Sequence, residues 1–189
     1  MIKIGILGAI GSGKSYVAKN FGYPVFSADD EVAKIYKTNK RIFLKLNKQI
    51  PKYISKFPID KSQITKAILS NKKNLKKIIY IVHKEIRKKL KLFLRKHKHQ
   101  KIVVLDIPLL LENKINNKKD ILIFVDSKKK DIKKRIKTRK NFNNKLLNKF
   151  RKIQFTPAYK KRKSNFIIKN NFTKKFVINS VINILKEIK

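Results

Sequence analysis

The chain has 189 residues, 42% of them hydrophobic, and carries 51 Lys and Arg against 11 Asp and Glu for a formal net charge of +40. That length suits one globular domain with a small inserted lobe, and the lack of any cysteine excludes disulfides, thiolate zinc sites and a cysteine nucleophile. No apolar run approaches the ~20 residues that span a bilayer, and no basic segment followed by a long apolar run opens the chain, so a soluble, cytoplasmic protein is expected.

Ile2-Lys3-Ile4-Gly5-Ile6-Leu7 reads as a short buried strand. Gly8-Ala9-Ile10-Gly11-Ser12-Gly13-Lys14-Ser15 follows and fits the phosphate-binding loop pattern G-x-x-x-x-G-K-[ST]. A helix from Ser15 through Phe21 then runs to Gly22 and Pro24. Strand, glycine loop and helix start form an anion cradle, in which backbone N–H groups and the positive end of the helix dipole converge on phosphate oxygens. Gly8, Gly11, Ser12, Gly13, Lys14, Ser15 and Tyr16 are therefore the candidate nucleotide-binding residues. In this pattern Lys14 reaches the β- and γ-phosphates, and the Ser15 hydroxyl is placed to ligate Mg²⁺. An ordinary glycine-rich turn leaves Lys14 and Ser15 unexplained.

Pro24 to Ser27 reads as a second strand, and Asp29-Asp30 opens a helix to about Tyr36. The next sixty residues are helical and basic, with breaks near Pro51 and Pro58. Asp60 and Gln63 make a capping box for a helix to about Leu69. Leu75, Ile78, Ile79, Val82, Ile86, Leu90 and Phe93 recur at helical spacing and predict one long amphipathic helix over about 74–97. Ile102–Asp106 and Ile121–Asp126 are apolar runs that each end in aspartate, as buried parallel strands do. Helices are expected over about 128–138 and 144–154, a fifth strand over Phe166–Ile168, and a closing helix that presents Phe176, Val177, Val181, Ile184, Leu185 and Ile188 on one face. Strands alternating with helices around this loop predict an α/β fold of the P-loop NTPase type, a doubly wound five-stranded parallel sheet with ligands at the strands' carboxyl ends.

Read in order, several stretches resemble the dephospho-CoA kinase family. Beside the loop these are Ser27-Ala28-Asp29, where the family has Asp-Ala-Asp, and Asp106-Ile107-Pro108-Leu109-Leu110-Leu111-Glu112, which is similar to its Pro-Leu-Leu-x-Glu stretch. Near the end, Gln154, the basic Lys160-Lys161-Arg162-Lys163 and Ser164 through Asn170 look like its Gln, basic helix and A-D-x-V-I-x-N. The resemblance implies Mg²⁺- and ATP-dependent phosphorylation of the ribose 3′-hydroxyl of dephospho-CoA, the last step of coenzyme A synthesis. It also implies a core over about 1–36, 100–127 and 157–189, a helical acceptor-binding region over about 37–99 and a lid over about 128–156.

On that reading Asp29 is the candidate base that orients and deprotonates the acceptor hydroxyl, set against a plain helix cap. Asp106 is a Walker-B-like metal ligand, set against a strand-end hydrogen-bonding group. Arg139 looks like the lid arginine that clamps the transferring phosphoryl, with Arg135 one turn earlier as its understudy. Ser27 brings no charge where the family has a carboxylate. Pro108 shapes a turn, and Glu112 reads as an acceptor-site or supporting polar residue rather than a metal ligand. His83 stands where the family has His-Pro, with Lys84 in place of the proline, and is expected partly buried; His97 and His99 are expected on the surface.

Two readings of the charge stand: a polyanionic partner, or compositional drift toward Lys, Asn and Ile. Only 7 of the 51 basic residues are arginine, whereas specific phosphate recognition enriches arginine. The lysines are also spread over every expected helix, so no specific nucleic acid and no membrane partner is expected, and the protein is expected as a monomer or weak homo-oligomer. A nucleoside monophosphate kinase is the neighbouring alternative, against which the scarcity of arginine counts. A nucleic-acid-binding ATPase is the more distant one; it lacks the aromatic residues interleaved with basic ones that make a stacking platform.

Overall fold

The computed structural model describes residues 1–138 and 142–188. The chain divides into two compact units, one of residues 1–27, 97–143 and 149–189 and one of residues 28–96 and 144–148.

The first unit is built on a sheet of β1 (Ile2–Gly8), β2 (Val25–Ser27), β3 (Ile102–Asp106), β4 (Ile121–Asp126) and β5 (Phe166–Lys169). The order is β2-β3-β1-β4-β5 and every pairing is parallel. β3 is buried along its whole length, which is why it reads as an unbroken apolar run rather than an alternating one. On one face Ile4, Ile6, Val104, Ile123, Val125 and Ile168 form a core with Val17 and Ala18 of α1 (Lys14–Asn20), its C-cap Phe21, and Val177, Val181 and Ile184 of α9 (Lys174–Ile188). Burying a Val, Leu, Ile or Phe side chain is worth about 1.5–3 kcal/mol, so these positions hold the two helices on the sheet. Phe176 departs from the expected helix face: it is 40% exposed, since it precedes Val177 and points about 100° away from it.

The parallel order follows from the connections, because the chain leaves β1 toward β3 and β2 on one side and returns to β4 and β5 on the other. The reversal puts a crevice between the carboxyl ends of β1 and β3, where such sheets bind ligands. The remaining helices of this unit are α6 (Lys129–Lys137), the last part of α7 (Asn144–Arg151) and α8 (Pro157–Arg162). Periodicity does not reveal α8. Thr156 caps it by accepting from the Tyr159 N–H at 3.2 Å, with Pro157 at the first helical position.

The second unit is helical: α2 (Ala28–Thr38), α3 (Lys40–Gln49), α4 (Lys61–Ser70) and α5 (Lys72–Lys96). Leu75, Ile78, Val82, Ile86 and Leu90 make the buried stripe of α5, against which the other three helices pack. The break between α3 and α4 holds Pro51 and Pro58, as expected. Asp60 does cap α4, accepting from the Ser62 and Gln63 N–H groups at 2.6 and 2.9 Å. The reciprocal half of the capping box is missing. Gln63 instead turns to the preceding loop, accepting from the Ser55 N–H at 3.1 Å and donating to the Lys56 carbonyl at 3.2 Å. Among the described residues no helix is long and apolar enough to cross a membrane.

Candidate active site

β1 delivers the chain into the loop at Gly8, and α1 begins six residues later at Lys14. Two glycines carry the bend. Gly11 has φ 88°, and a Cβ there would meet Ile136 Cγ1 of α6 at 2.6 Å. Gly13 has φ 91° and stands as the N-cap of α1 without any side-chain cap bond, so the first-turn N–H groups receive no acceptor from it. Lys14 Nζ donates to the carbonyls of Ala9 at 2.9 Å and Gly8 at 3.2 Å, which pins the ammonium against the loop's own first turn. Ser15 and Tyr16 are exposed at the start of α1.

Ser12 is the buried point of the loop. It is 1% exposed; its carbonyl accepts from Asn170 Nδ2 at 2.8 Å and from Ser127 Oγ at 3.0 Å, and its hydroxyl is buried with no hydrogen-bond partner among the described residues. Arg135 lies beside the loop with its guanidinium 4.9 Å from the centre of the Phe172 ring, a cation–π arrangement. A Cβ on Gly13 would come within 3.4 Å of that ring and 3.5 Å of Arg135 Nη1. Phe172 itself has φ 65°. Nothing in the sequence singles out Asn170, Ser127 or Phe172 as loop neighbours, because all three are over a hundred residues away along the chain and meet the loop only once β4 and β5 are in the sheet.

Asp106 ends β3 and is 5% exposed; its partner in the sheet register is Ser27, the last residue of β2. The family-like carboxylate position and the candidate metal ligand are thus strand neighbours at the carboxyl edge. Their oxygens, with the Ser15 hydroxyl, are the hard donors Mg²⁺ takes. Among the described residues no group of three or more His, Asp or Glu could hold a metal by itself. A Mg²⁺ site of this class needs none, because one or two protein ligands plus substrate phosphates complete it.

Asp29 is exposed, in the first turn of α2 and two residues past β2. The helix starts at Ala28, directly after the strand. This removes the alternative of Asp29 as a plain helix cap: Asp29 and Asp30 both lie inside the first turn with Glu31, where their charge favours the dipole but neither precedes the helix. Arg139 lies outside the described residues. His83 is half-buried as expected and His99 exposed, while His97 is half-buried rather than on the surface.

Glu112 is not open to solvent. Its Oε1 receives Lys160 Nζ at 2.8 Å and the Phe155 N–H at 2.8 Å, with side-chain exposures of 8% and 2% for the ion pair. The turn over Pro108–Leu111 brings it there, and Leu110 packs so closely on β1 that a Cβ on Gly5 would meet Leu110 Cδ2 at 2.5 Å. Removing one partner of a buried pair leaves an uncompensated charge. Lys160→Met should cost about 3–5 kcal/mol of stability, and pairing it with Glu112→Leu should recover most of that loss in urea unfolding. A single variant as stable as the wild type would contradict the pairing.

Comparison with known proteins gives a consistent picture. The family model for dephospho-CoA kinase matches residues 2–175. A dephospho-CoA kinase of Wolbachia pipientis wMel is 33% identical over 187 residues, covering 96% of this chain and 95% of its own. Among solved structures, a Thermus thermophilus protein superposes with a TM-score of 0.78 at 23% identity, over 100% of this chain and 98% of its own. A dephospho-CoA kinase from Campylobacter jejuni superposes with a TM-score of 0.63 at 23% identity, over 99% of this chain and 97% of its own.

Proposed function

The chain belongs to the dephospho-CoA kinase family, an ATP-dependent kinase family, and from that premise we propose that it transfers the γ-phosphoryl group of ATP to the ribose 3′-hydroxyl of dephospho-CoA. The family match over residues 2–175 carries the reading, since it takes in the loop, Asp29, the Pro108–Glu112 turn and the Gln154–Asn170 stretch in order. The loop N–H groups and Lys14 hold the phosphates and stabilise the charge that spreads over the transferring group. Ser15 and Asp106 would hold Mg²⁺, which when bound would neutralise charge on the nucleotide's phosphates. Asp29 orients the acceptor hydroxyl and takes its proton. Arg139 clamps the phosphoryl group, and the helical region over about 37–99 binds the acceptor. The protein acts in the cytoplasm as a monomer or weak homo-oligomer.

One assay tests the reading: ATP and Mg²⁺ with dephospho-CoA, products resolved by mass. Formation of coenzyme A supports it, whereas phosphorylation of a nucleoside monophosphate with dephospho-CoA untouched overturns it. Asn165 is a departure from the family pattern at the level of single residues. It stands where the family pattern has Asp, and its Oδ1 accepts from the Leu122 N–H at 2.8 Å, a bond a carboxylate would also make.

The +40 charge gives a diffuse positive field. Binding to RNA or DNA should therefore be indifferent to sequence and fall steeply with salt, through counterion release. Turnover of dephospho-CoA should not rise when nucleic acid is added at low or near-physiological salt. Stimulation at physiological salt would favour the nucleic-acid-dependent ATPase instead.

A further inference from the structure

We infer that Asn170 is a positioning residue for the phosphate loop, setting the orientation of the Ser12–Gly13 peptide through the Ser12 carbonyl. The inference rests on the nucleotide-binding reading of that loop. Asn170 is 2% exposed and is held at three points. Its backbone N–H donates to the Asp126 carbonyl at 2.6 Å, its Oδ1 accepts from the Phe172 N–H at 2.8 Å, and its Nδ2 donates to the Ser12 carbonyl at 2.8 Å. The amide has one orientation that satisfies these partners. A backbone N–H only donates, so the atom facing Phe172 is the oxygen; the nitrogen then faces Ser12, whose carbonyl only accepts.

The consequence for the loop follows from the planar trans peptide, in which C=O and N–H point in opposite directions. Fixing the Ser12 carbonyl toward Asn170 and Ser127 turns the Gly13 N–H the opposite way, away from those two side chains. The peptide needs such a hold. Gly11 and Gly13 have φ values of 88° and 91°, and glycine crosses between backbone regions at little steric cost, so this loop has weak intrinsic resistance to a peptide flip. Two donors on one carbonyl supply the resistance, and the Asn170 donor comes from a side chain that is itself immobilised. In the sequence this residue closes the A-D-x-V-I-x-N-like stretch, where its chemistry is invisible without its partners.

The test is the affinity for ADP, measured by titration calorimetry without transfer chemistry, beside the affinity for dephospho-CoA and the unfolding midpoint. Asn170→Ala should weaken ADP binding about tenfold, the equivalent of one lost hydrogen bond. Ser127→Ala, which removes the other donor from a half-buried position, should weaken it about threefold. Dephospho-CoA affinity should stay within about twofold in both, since a loss of general packing would lower the two affinities together. Unchanged ADP affinity in a folded Asn170→Ala protein overturns the inference. If that variant does not fold, Ser127→Ala decides: wild-type ADP affinity there overturns it equally. A wild-type chain that binds no ADP overturns instead the nucleotide-binding reading beneath it.

Discussion

Lys14→Ala lowers turnover by about 10²–10³ at saturating ATP, the usual cost of deleting one preorganised electrostatic contact to a charge that develops in the transition state. The fold survives. Lys14 is half-buried at the first residue of α1, and its ammonium donates to carbonyls of its own loop, at Gly8 and Ala9. The loss should therefore sit in kcat rather than in the unfolding midpoint. Steady-state kinetics with a parallel melt separates the two, and near-wild-type turnover would remove Lys14 from the chemistry.

Asp29→Asn should lower kcat by about 10²–10⁴ while ATP binding holds, because the amide keeps the shape of the carboxylate but does not take a proton. The rival role is electrostatic support of α2, and magnitudes distinguish them. A carboxylate in a first helical turn contributes about 0.3–1 kcal/mol, and Asp30 and Glu31 remain in that turn. A rate loss of 10²–10⁴ corresponds to about 2.7–5.5 kcal/mol of barrier, well beyond what the helix loses. Normal turnover with weakened ATP affinity would make Asp29 a binding or structural residue.

The parts that were legible from the sequence are those whose cause is local. β3 and β4 are continuous apolar runs up to their closing aspartates because both faces of a central parallel strand are covered, and α5 shows its stripe because only one face is. The loop is legible for a similar reason: its glycines and its Lys-Ser pair are consecutive. What was not legible depends on partners far along the chain. Lys160 is 2% exposed within a run of four basic residues that reads as solvated, and its pairing with Glu112, 48 positions back, makes that burial tolerable. Gln63 follows the capping pattern in sequence, yet it bonds to Ser55 and Lys56 because the loop before Asp60 folds back within reach. The rival reading of Asp29 as a plain helix cap fails because β2 passes into α2 without an intervening residue.

The bond from Asn170 to Ser12 joins positions 158 residues apart. During synthesis the phosphate motif emerges among the first residues, while the residue that latches it, directly after β5, emerges among the last. Contacts of such separation form late, after the entropy of closing the intervening chain has been met. A nascent or truncated chain ending before Asn170 thus carries the entire motif and keeps only the Ser127 donor on the Ser12 carbonyl. On that inference full nucleotide affinity belongs to the finished polypeptide, and protection of the chain by ADP against proteolysis should strengthen once synthesis has passed β5.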